Sequence, residues 1–257
     1  MLRIVASLSI SVVLSTLVGV VSVLAGFADG RRGALWEVVR TCVVNHTVSG
    51  FAFPCLEVNT ADGEERGYVV LRRPGTPDIV LAPTKQVVGV EDPWLRTAEA
   101  PNYFGDAWNA RSFLDELQRR PLGHEDVALA VNSQLMRTQD QLHIHIGCIS
   151  PLARRAIGSV APDLSDSDWT RLNWHVHGPD VWARRISQSS LDGVNPFRLT
   201  EGIPDGDGKL TQIGIVVAGS ELADGRDGFV VLAWLDDAAK PGGSLTADRL
   251  LDSSCSH

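Results

Sequence analysis

Positive charge is sparse and scattered in this sequence. It contains no block of clustered Lys and Arg residues, and the formal net charge is −8. A nucleic-acid surface needs concentrated positive charge, so the composition argues against nucleic acid as a partner. The absence of a CxxC pair leaves a zinc ribbon or a thioredoxin-like site without support. With 257 residues, a hydrophobic content of 44% and no internal repeat, the chain is typical of a folded globular protein.

Charge is missing altogether from residues 4–28. A signal peptide has an apolar core of about 7–15 residues, whereas a membrane-spanning helix needs about 20. The run therefore predicts a single-pass transmembrane helix, with residues 1–28 anchoring the chain in the cell's inner membrane. The alternative is a long signal peptide that is cut after Ala28, since Gly26 and Ala28 are small enough for a cleavage site.

Cysteine is scarce but even in number, with Cys42, Cys55, Cys148 and Cys255. Beyond an export-type segment, an even count suggests disulfides and an oxidising compartment. Cys42 and Cys55 close a short loop and are the favoured pair, which leaves Cys148 and Cys255 as the second. This places the folded domain on the extracytoplasmic side. Four buried free thiols are the alternative.

The pattern beyond the anchor predicts an α+β fold, with residues 34–257 as one domain. A short helix is expected over 36–45, a long amphipathic helix over 106–120, and the start of another helix near 165. Strands are predicted from β-branched runs bounded by Gly, Pro or Asp, and cover 55–59, 67–73, 78–84, 126–133, 141–150, 210–219 and 228–235. The last two are expected to extend the same sheet or to form a second small one.

Two imidazoles interrupt the apolar run QLHIHIGCI. Side chains alternate between the two faces of a strand, so His143, His145 and Gly147 share one face, while the intervening isoleucines and Cys148 face the core. Such a pair can bind a metal, act as nucleophile or general base, or make only local hydrogen bonds. A metal site would need further ligands, for which His175 and His177 are candidates.

The approach to the histidines is polar and rich in hydrogen-bond donors. Its polar side chains are Asn132, Ser133, Arg137, Thr138, Gln139 and Asp140. Amides, hydroxyls and an arginine suit phosphate oxygens and ribose, and they are poor zinc ligands. The hairpin is therefore predicted to hold a phosphate beside an imidazole.

These residues resemble the motif of the histidine-triad (HIT) superfamily of nucleotide hydrolases and transferases. In that superfamily an Asn stands eleven residues before the first motif histidine and a Gln stands four before it, as Asn132 and Gln139 do here relative to His143. The resemblance implies a HIT-like antiparallel sheet with one long helix and C-terminal strand additions. It also makes His145 the nucleophile that forms a covalent nucleotidyl-histidine.

The usual third histidine of the triad would fall on Gly147. Its loss removes a group that commonly contacts the leaving phosphate, and His175 or His177 could substitute from another segment. A register two residues earlier would make Gln141 the first member and His143 the nucleophile, but the spacings of Asn132 and Gln139 argue against it.

Within this superfamily the sequence resembles the CDP-diacylglycerol diphosphatase family. The similarity rests on QDQLHIHI, with weaker support from APNYFGDAWNARSF, WARRI, the cysteine pair and the anchor. It implies a hydrolase that cleaves CDP-diacylglycerol, a membrane lipid, into CMP and phosphatidate.

The catalytic residues implied by this resemblance are His143 and His145, and the substrate-binding residues are Asn132, Arg137, Gln139 and Asp140. No metal or other cofactor is implied. Arg184 and Arg185 are further candidates for the lipid-side phosphate. The alternatives are a HIT-like hydrolase of another nucleotide diphosphate ester, and a metal-dependent extracytoplasmic hydrolase that uses His143, His145, His175 and His177.

Overall fold

The structure is a computed structural model that describes residues 31–73, 75–76, 78–172, 178–240, 242–252 and 255. The predicted anchor and the candidate ligands His175 and His177 lie outside the described residues. Within the described ranges, no helix combines the length and apolar character needed to cross a membrane.

The described strands form one large antiparallel sheet, as the α+β prediction requires. The strands are β1 (Glu57–Asn59), β2 (Tyr68–Arg72), β3 (Ile79–Pro83), β4 (Val127–Val131), β5 (Ile144–Ile149), β6 (Thr170–Arg171), β7 (Val181–Ile186), β8 (Ile213–Glu221), β9 (Asp227–Leu235) and β10 (Leu251–Asp252). Their order is β1-β2-β3-β5-β4-β8-β9-β7-β6, and β10 pairs with the end of β5. The two late strands β8 and β9 therefore extend the same sheet and do not form a second one.

Helices cover both faces of this sheet. They are α1 (Ala34–Ser49), α2 (Tyr103–Asn109), α3 (Ser112–Gln118), α4 (Pro151–Val160) and α5 (Pro196–Leu199). On one face, α2 and α3 pack on a core that includes Ile144, Ile146 and Cys148. This is the core-facing side that the strand alternation predicts.

The opposite face carries two separate apolar clusters. One lies between α1 and strands β1–β3, and α1 contributes a buried stripe that includes Leu35, Val38, Val39 and Val43. Fully burying a Val or Leu side chain stabilises the fold by about 1.5–3 kcal/mol. The other cluster joins α4 and the 247–250 turn to β4, β7, β8 and β9. Because His145 pairs with Val80 of β3 and Ala130 of β4, it lies where the two clusters meet.

The prediction of one long helix over 106–120 is wrong, because the chain forms α2 and α3 there. Trp108 and Leu114 are both buried in the same core. Six residues of a continuous helix would place them about 120° apart around the helix axis, so a straight helix would have to bury a wide face to cover both. At the break, the Arg111 guanidinium donates a hydrogen bond to the Trp108 carbonyl oxygen.

The helix predicted to open near residue 165 is also wrong. Ser165, Ser167 and Asp168 hydrogen-bond to one another in a bend, and Thr170–Arg171 forms β6, which pairs with β7. Serine and aspartate side chains can cap a helix or can hydrogen-bond to the backbone and side chains of a local turn. The sequence pattern is therefore compatible with either structure.

Both predicted disulfides are present, Cys42–Cys55 and Cys148–Cys255. The first joins α1 to the loop before β1. The second ties the C-terminal segment to β5, the strand that carries His145. The covalent link therefore holds that segment close to the histidines.

Candidate active site

A cleft of about 500 Å³ opens on the sheet face that bears the histidines. His143 and His145 line it, with their ring centroids 5.0 Å apart. Leu35 of α1 and Val80 of β3 form an apolar side, and Asp248 of the C-terminal segment lines it as well. The cleft is thus the gap left between the two apolar clusters of this face.

The two ring nitrogens of His145 have different surroundings. Its Nδ1 lies 3.4 Å from Asp78 Oδ2, whereas its Nε2 is buried and has no hydrogen-bond partner among the described residues. A carboxylate accepts a hydrogen bond from Nδ1–H, so the neutral ring carries its lone pair on Nε2. An imidazole in this tautomer can attack an electrophile through Nε2.

Asp78 is ionised across the physiological range. Burial alone would raise its pKa, but hydrogen bonds from His145 and Thr76 and the charges of His145 and Arg73 lower the pKa to about 2. The Arg73 guanidinium lies 3.3 Å from Asp78 and 2.8 Å from Asp248. The result is a charged network beside the imidazole, with two carboxylates bridged by one arginine.

His143 is partly buried, lies directly before β5 and is hydrogen-bonded to the backbone of the same segment. Its Nδ1 lies 2.8 Å from the Gln141 carbonyl oxygen, which fixes the proton on Nδ1 in the neutral ring. Desolvation and the charge of His145 lower the pKa of His143 to about 3, although the bond to Gln141 opposes this. His143 is therefore a neutral ring that supports the site.

The pKa of His143 predicts a titration that can be measured. We expect the imidazole ¹⁵N shifts of His143 to stay those of the neutral Nδ1–H tautomer from pH 7 down to about pH 4, because its pKa is near 3. The unfolded chain takes up this proton near pH 6.5, so His143 costs stability progressively as pH falls from about 6.5 to 3. The urea-unfolded protein serves as the control, and a His143 midpoint near 6.5 in the folded protein would contradict the prediction.

Asn132 and Gln139 line the cleft, and their amides also bind its two walls, while their contact with substrate stays a prediction. Asn132 accepts a hydrogen bond from the Ala247 N–H and donates one to Asp248. Gln139 accepts from the Leu35 N–H and donates to the Arg31 carbonyl oxygen. The two amides therefore connect the segment between β4 and β5 to the C-terminal segment and to the start of α1.

Arg137 and Asp140 are not among the residues that line the cleft. The buried Arg137 guanidinium pairs with Glu91 at 2.8 Å and with Asp140 at 3.2 Å. Asp140 also receives two hydrogen bonds from Arg32. These contacts hold the loop between β4 and β5, and direct contact of either residue with substrate stays a prediction.

Gly147 faces the same side as the histidines, and the structure leaves no free space for a side chain there. A Cβ atom at this position would lie 3.2 Å from Leu251 Cδ1 and 3.6 Å from Asp78 Cβ. The position at which the resemblance would place a third histidine is therefore closed by β10. Asp248 and Arg73 contribute the nearby charge.

Sequence reasoning missed Asp78, Asp248 and the contribution of α1. Asp78 and His145 are 67 residues apart, and only the pairing of β3 with β5 brings them together. In the sequence, the one local indication of a role for Asp78 was the position of this acidic residue immediately before a strand. Arg184 and Arg185 lie on β7, four strands away from β5, where both bind Asp166.

Metal ligation finds no support among the residues that the structure describes. These residues contain no group of three or more His, Cys, Asp and Glu side chains arranged to hold an ion. The histidines at 175 and 177 lie outside them, so the four-histidine metal site stays an alternative for experiment.

Comparison with known proteins gives the family. The family model for CDP-diacylglycerol pyrophosphatase matches residues 30–257. A CDP-diacylglycerol pyrophosphatase from Yersinia pestis is 36% identical over 203 residues, which cover 78% of this chain and 75% of the relative. The matched region includes the cleft, both histidines and both disulfides. The chain is therefore a hydrolase that belongs to the CDP-diacylglycerol pyrophosphatase family.

Proposed function

We propose that the protein hydrolyses the pyrophosphate bond of CDP-diacylglycerol to CMP and phosphatidate, with His145 as the nucleophile. The observation that carries this proposal is the geometry of His145, whose Nδ1 lies against Asp78 while Nε2 has no partner in the described part of the chain. The family and the name of the Yersinia pestis relative support the substrate. The spacing of Asn132, Gln139 and His143 supports a HIT-like site.

The first step is an in-line displacement at the phosphorus that bears cytidine. The Nε2 lone pair forms a P–N bond as the P–O bond to phosphatidate breaks, and phosphatidate leaves with the bonding electrons. The ring keeps its Nδ1 proton and becomes cationic. The Asp78 carboxylate stabilises this charge, since its low pKa keeps it ionised.

In the second step, water attacks the cytidylyl phosphorus. The P–N bond breaks, its electrons return to Nε2, and CMP leaves while the proton of the water passes to solvent. The sum of both steps is one water consumed for one CMP and one phosphatidate. A covalent intermediate divides one difficult displacement into two easier ones.

The cleft has the mixed chemistry that this substrate needs. Arg72 and Arg73 are cationic and suit pyrophosphate oxygens, whereas Leu35, Leu71 and Val80 are apolar. Arg73 is bound to Asp78 and Asp248 and is 39% exposed, so it can turn toward an incoming phosphate. Catalysis of phosphoryl transfer depends mainly on such positioning and charge stabilisation.

We also propose that residues 4–28 anchor the chain in a membrane, with the catalytic domain on the oxidising side. The uncharged run supports the anchor, and the two disulfides support the oxidising side. Gln139 binds Arg31 and Asp140 binds Arg32, so the residues that follow the run by three and four positions are held close to the cleft. A tethered enzyme would meet a lipid substrate at high effective concentration.

The experiment that tests this function follows oxygen from water. The detergent-solubilised protein is incubated with CDP-diacylglycerol and excess EDTA in H₂¹⁸O, and both products are analysed by mass spectrometry. We expect CMP and phosphatidate in equal amounts, with ¹⁸O in CMP only, because water attacks the cytidylyl phosphorus. Label in phosphatidate would place the attack on the other phosphorus and overturn the proposed step.

Activity that is lost in EDTA and restored by a divalent cation would instead support the metal-dependent alternative. ADP-diacylglycerol serves as the matched substrate control. Equal turnover of the adenine compound would mean that the base is not recognised, which favours a broader nucleotide diphosphate ester hydrolase.

A further inference from the structure

The far end of α1 exposes an unusual concentration of apolar side chains. Val44 is 53% exposed, Val48 81%, Phe51 72% and Phe53 62%, and we call these four residues the α1 tip. Among the described residues, seven large hydrophobic side chains are exposed, and the tip holds four of them within ten positions. Contiguous exposed apolar groups of this kind mark interaction sites.

Local covalent and hydrogen-bond contacts keep the α1 tip exposed. The Cys42–Cys55 disulfide joins the two ends of this segment. Asn45 donates a hydrogen bond to the Phe53 carbonyl oxygen. Gly50 ends α1 with φ 77°, a left-handed conformation that turns the chain sharply. The two phenylalanines therefore lie on a turn that the disulfide and the hydrogen bond hold in place. They are not part of the core beneath α1.

The same face of α1 continues toward the cleft with Trp36 and Arg40. The Arg40 guanidinium lies 5.9 Å from the Trp36 ring centroid. Positions 36, 40, 44 and 48 are four residues apart and form one ridge along the helix. Tryptophan and arginine followed by apolar residues are typical of a helix that lies in the plane of a membrane interface.

The position of the uncharged run indicates what binds the α1 tip and the ridge that leads to it. Residues 4–28 end six positions before α1 begins, and Gln139 and Asp140 fix Arg31 and Arg32 at that end. The tip lies about 20 Å farther along the helix, at a rise of about 1.5 Å per residue. A bilayer that receives the uncharged run is therefore within reach of the whole ridge.

We infer that α1 lies along the surface of a phospholipid bilayer, with the α1 tip inserted among the lipids. The cleft, which begins at Leu35 of the same helix, then opens beside the membrane. A lipid substrate could enter it without leaving the bilayer completely. This inference rests on the proposed function for its substrate, but the surface itself can be tested separately.

The first test measures lipid contact directly in the full chain. The variant Phe51→Trp is reconstituted in phosphatidylcholine–phosphatidylglycerol vesicles with and without brominated acyl chains. We expect bromine to quench the fluorescence that this variant adds to that of the native protein. Glu116→Trp, at an exposed position of α3 on the opposite sheet face, is the control and should add fluorescence that bromine leaves unchanged. Equal quenching of both added tryptophans, or of neither, would overturn the inference.

The second test separates access to the lipid from chemistry. The double variant Phe51→Ser/Phe53→Ser should turn over long-chain CDP-diacylglycerol in vesicles at least about tenfold more slowly than the native chain, since two membrane-inserted aromatics are lost. Its rate on a monodisperse short-chain substrate should be unchanged. The exposed Leu152 on α4 provides Leu152→Ser as the matched control, which should retain both rates.

A vesicle rate that is unchanged in the double variant, or lowered equally in Leu152→Ser, would overturn the inference. If the native chain turned over neither substrate, the proposed function would fail, and the quenching experiment would still decide whether the tip contacts lipid.

Discussion

Replacing His145 by alanine is expected to reduce CMP release from CDP-diacylglycerol by about a thousandfold or more, because the attacking nitrogen is removed. The residue is 3% exposed, and the one side-chain hydrogen bond that the described residues give it is to Asp78. The fold should therefore persist, which near-ultraviolet circular dichroism can check. His46→Ala on α1 is the matched control and should retain turnover.

The intermediate provides a second measurement of the same prediction. Native protein that is mixed with CDP-diacylglycerol labelled in the cytidylyl phosphate and then quenched in alkali should carry the label on one histidine. A phosphorus–nitrogen bond of this kind should be lost in acid. Peptide mapping should place the label on His145, and the His145→Ala protein should carry none. Label on His143 would support the earlier register of the motif, and turnover that survives in His145→Ala would exclude the nucleophile.

Asp78→Asn is expected to lower kcat by about a hundredfold, because the cationic ring of the intermediate loses the carboxylate that stabilises it. An asparagine carbonyl can still accept the Nδ1 hydrogen bond, so the tautomer and the orientation of His145 should persist. KM should change little, since Asp78 acts through His145 and is not expected to bind substrate. A proportional rise in KM with unchanged kcat would contradict this positioning role.

The same substitution should also change the acid stability. The pKa of Asp78 falls from 3.8 to about 2 on folding, so its carboxylate stabilises the native state at neutral pH by about 2 kcal/mol. This stability is present above about pH 4 and is lost as pH falls toward 2. Denaturant unfolding of the native chain and of Asp78→Asn should therefore converge over that range. The exposed Asp163→Asn is the control and should follow the native chain.

The extent to which the sequence predicts the structure differs between strands and helices. Strands β2, β3 and β4 lie within the predicted ranges, whereas β8 ends two residues after its predicted range and β9 begins one residue before its own. Alternation along a strand is a local property, and it correctly separates His143 and His145 from the isoleucines of the core. The helix over 106–120 fails because the distant Phe229, whose ring stacks edge-on against Trp108, helps to determine where Trp108 is buried.

The candidate site was also predictable from the sequence only in part. The motif identifies the two histidines and places Asn132 and Gln139 at the cleft, since all four lie within fourteen consecutive residues. The spacing of residues along the sequence does not indicate which walls of the cleft the amides of Asn132 and Gln139 would bind. It also could not distinguish residues that line the cleft from Arg137 and Asp140, which pair with Glu91 and Arg32.

The sequence by itself determined the position of the histidine pair, the side of the strand on which it lies and the Cys42–Cys55 disulfide, because each depends on residue type and short-range spacing. The tertiary structure alone decided what surrounds that pair. Asp78 arrives from β3, Asp248 from the C-terminal segment and Leu35 from α1, and antiparallel pairing together with the Cys148–Cys255 disulfide brings them to one cleft. Contacts between segments so far apart depend on how the whole chain packs, and no local pattern can specify them.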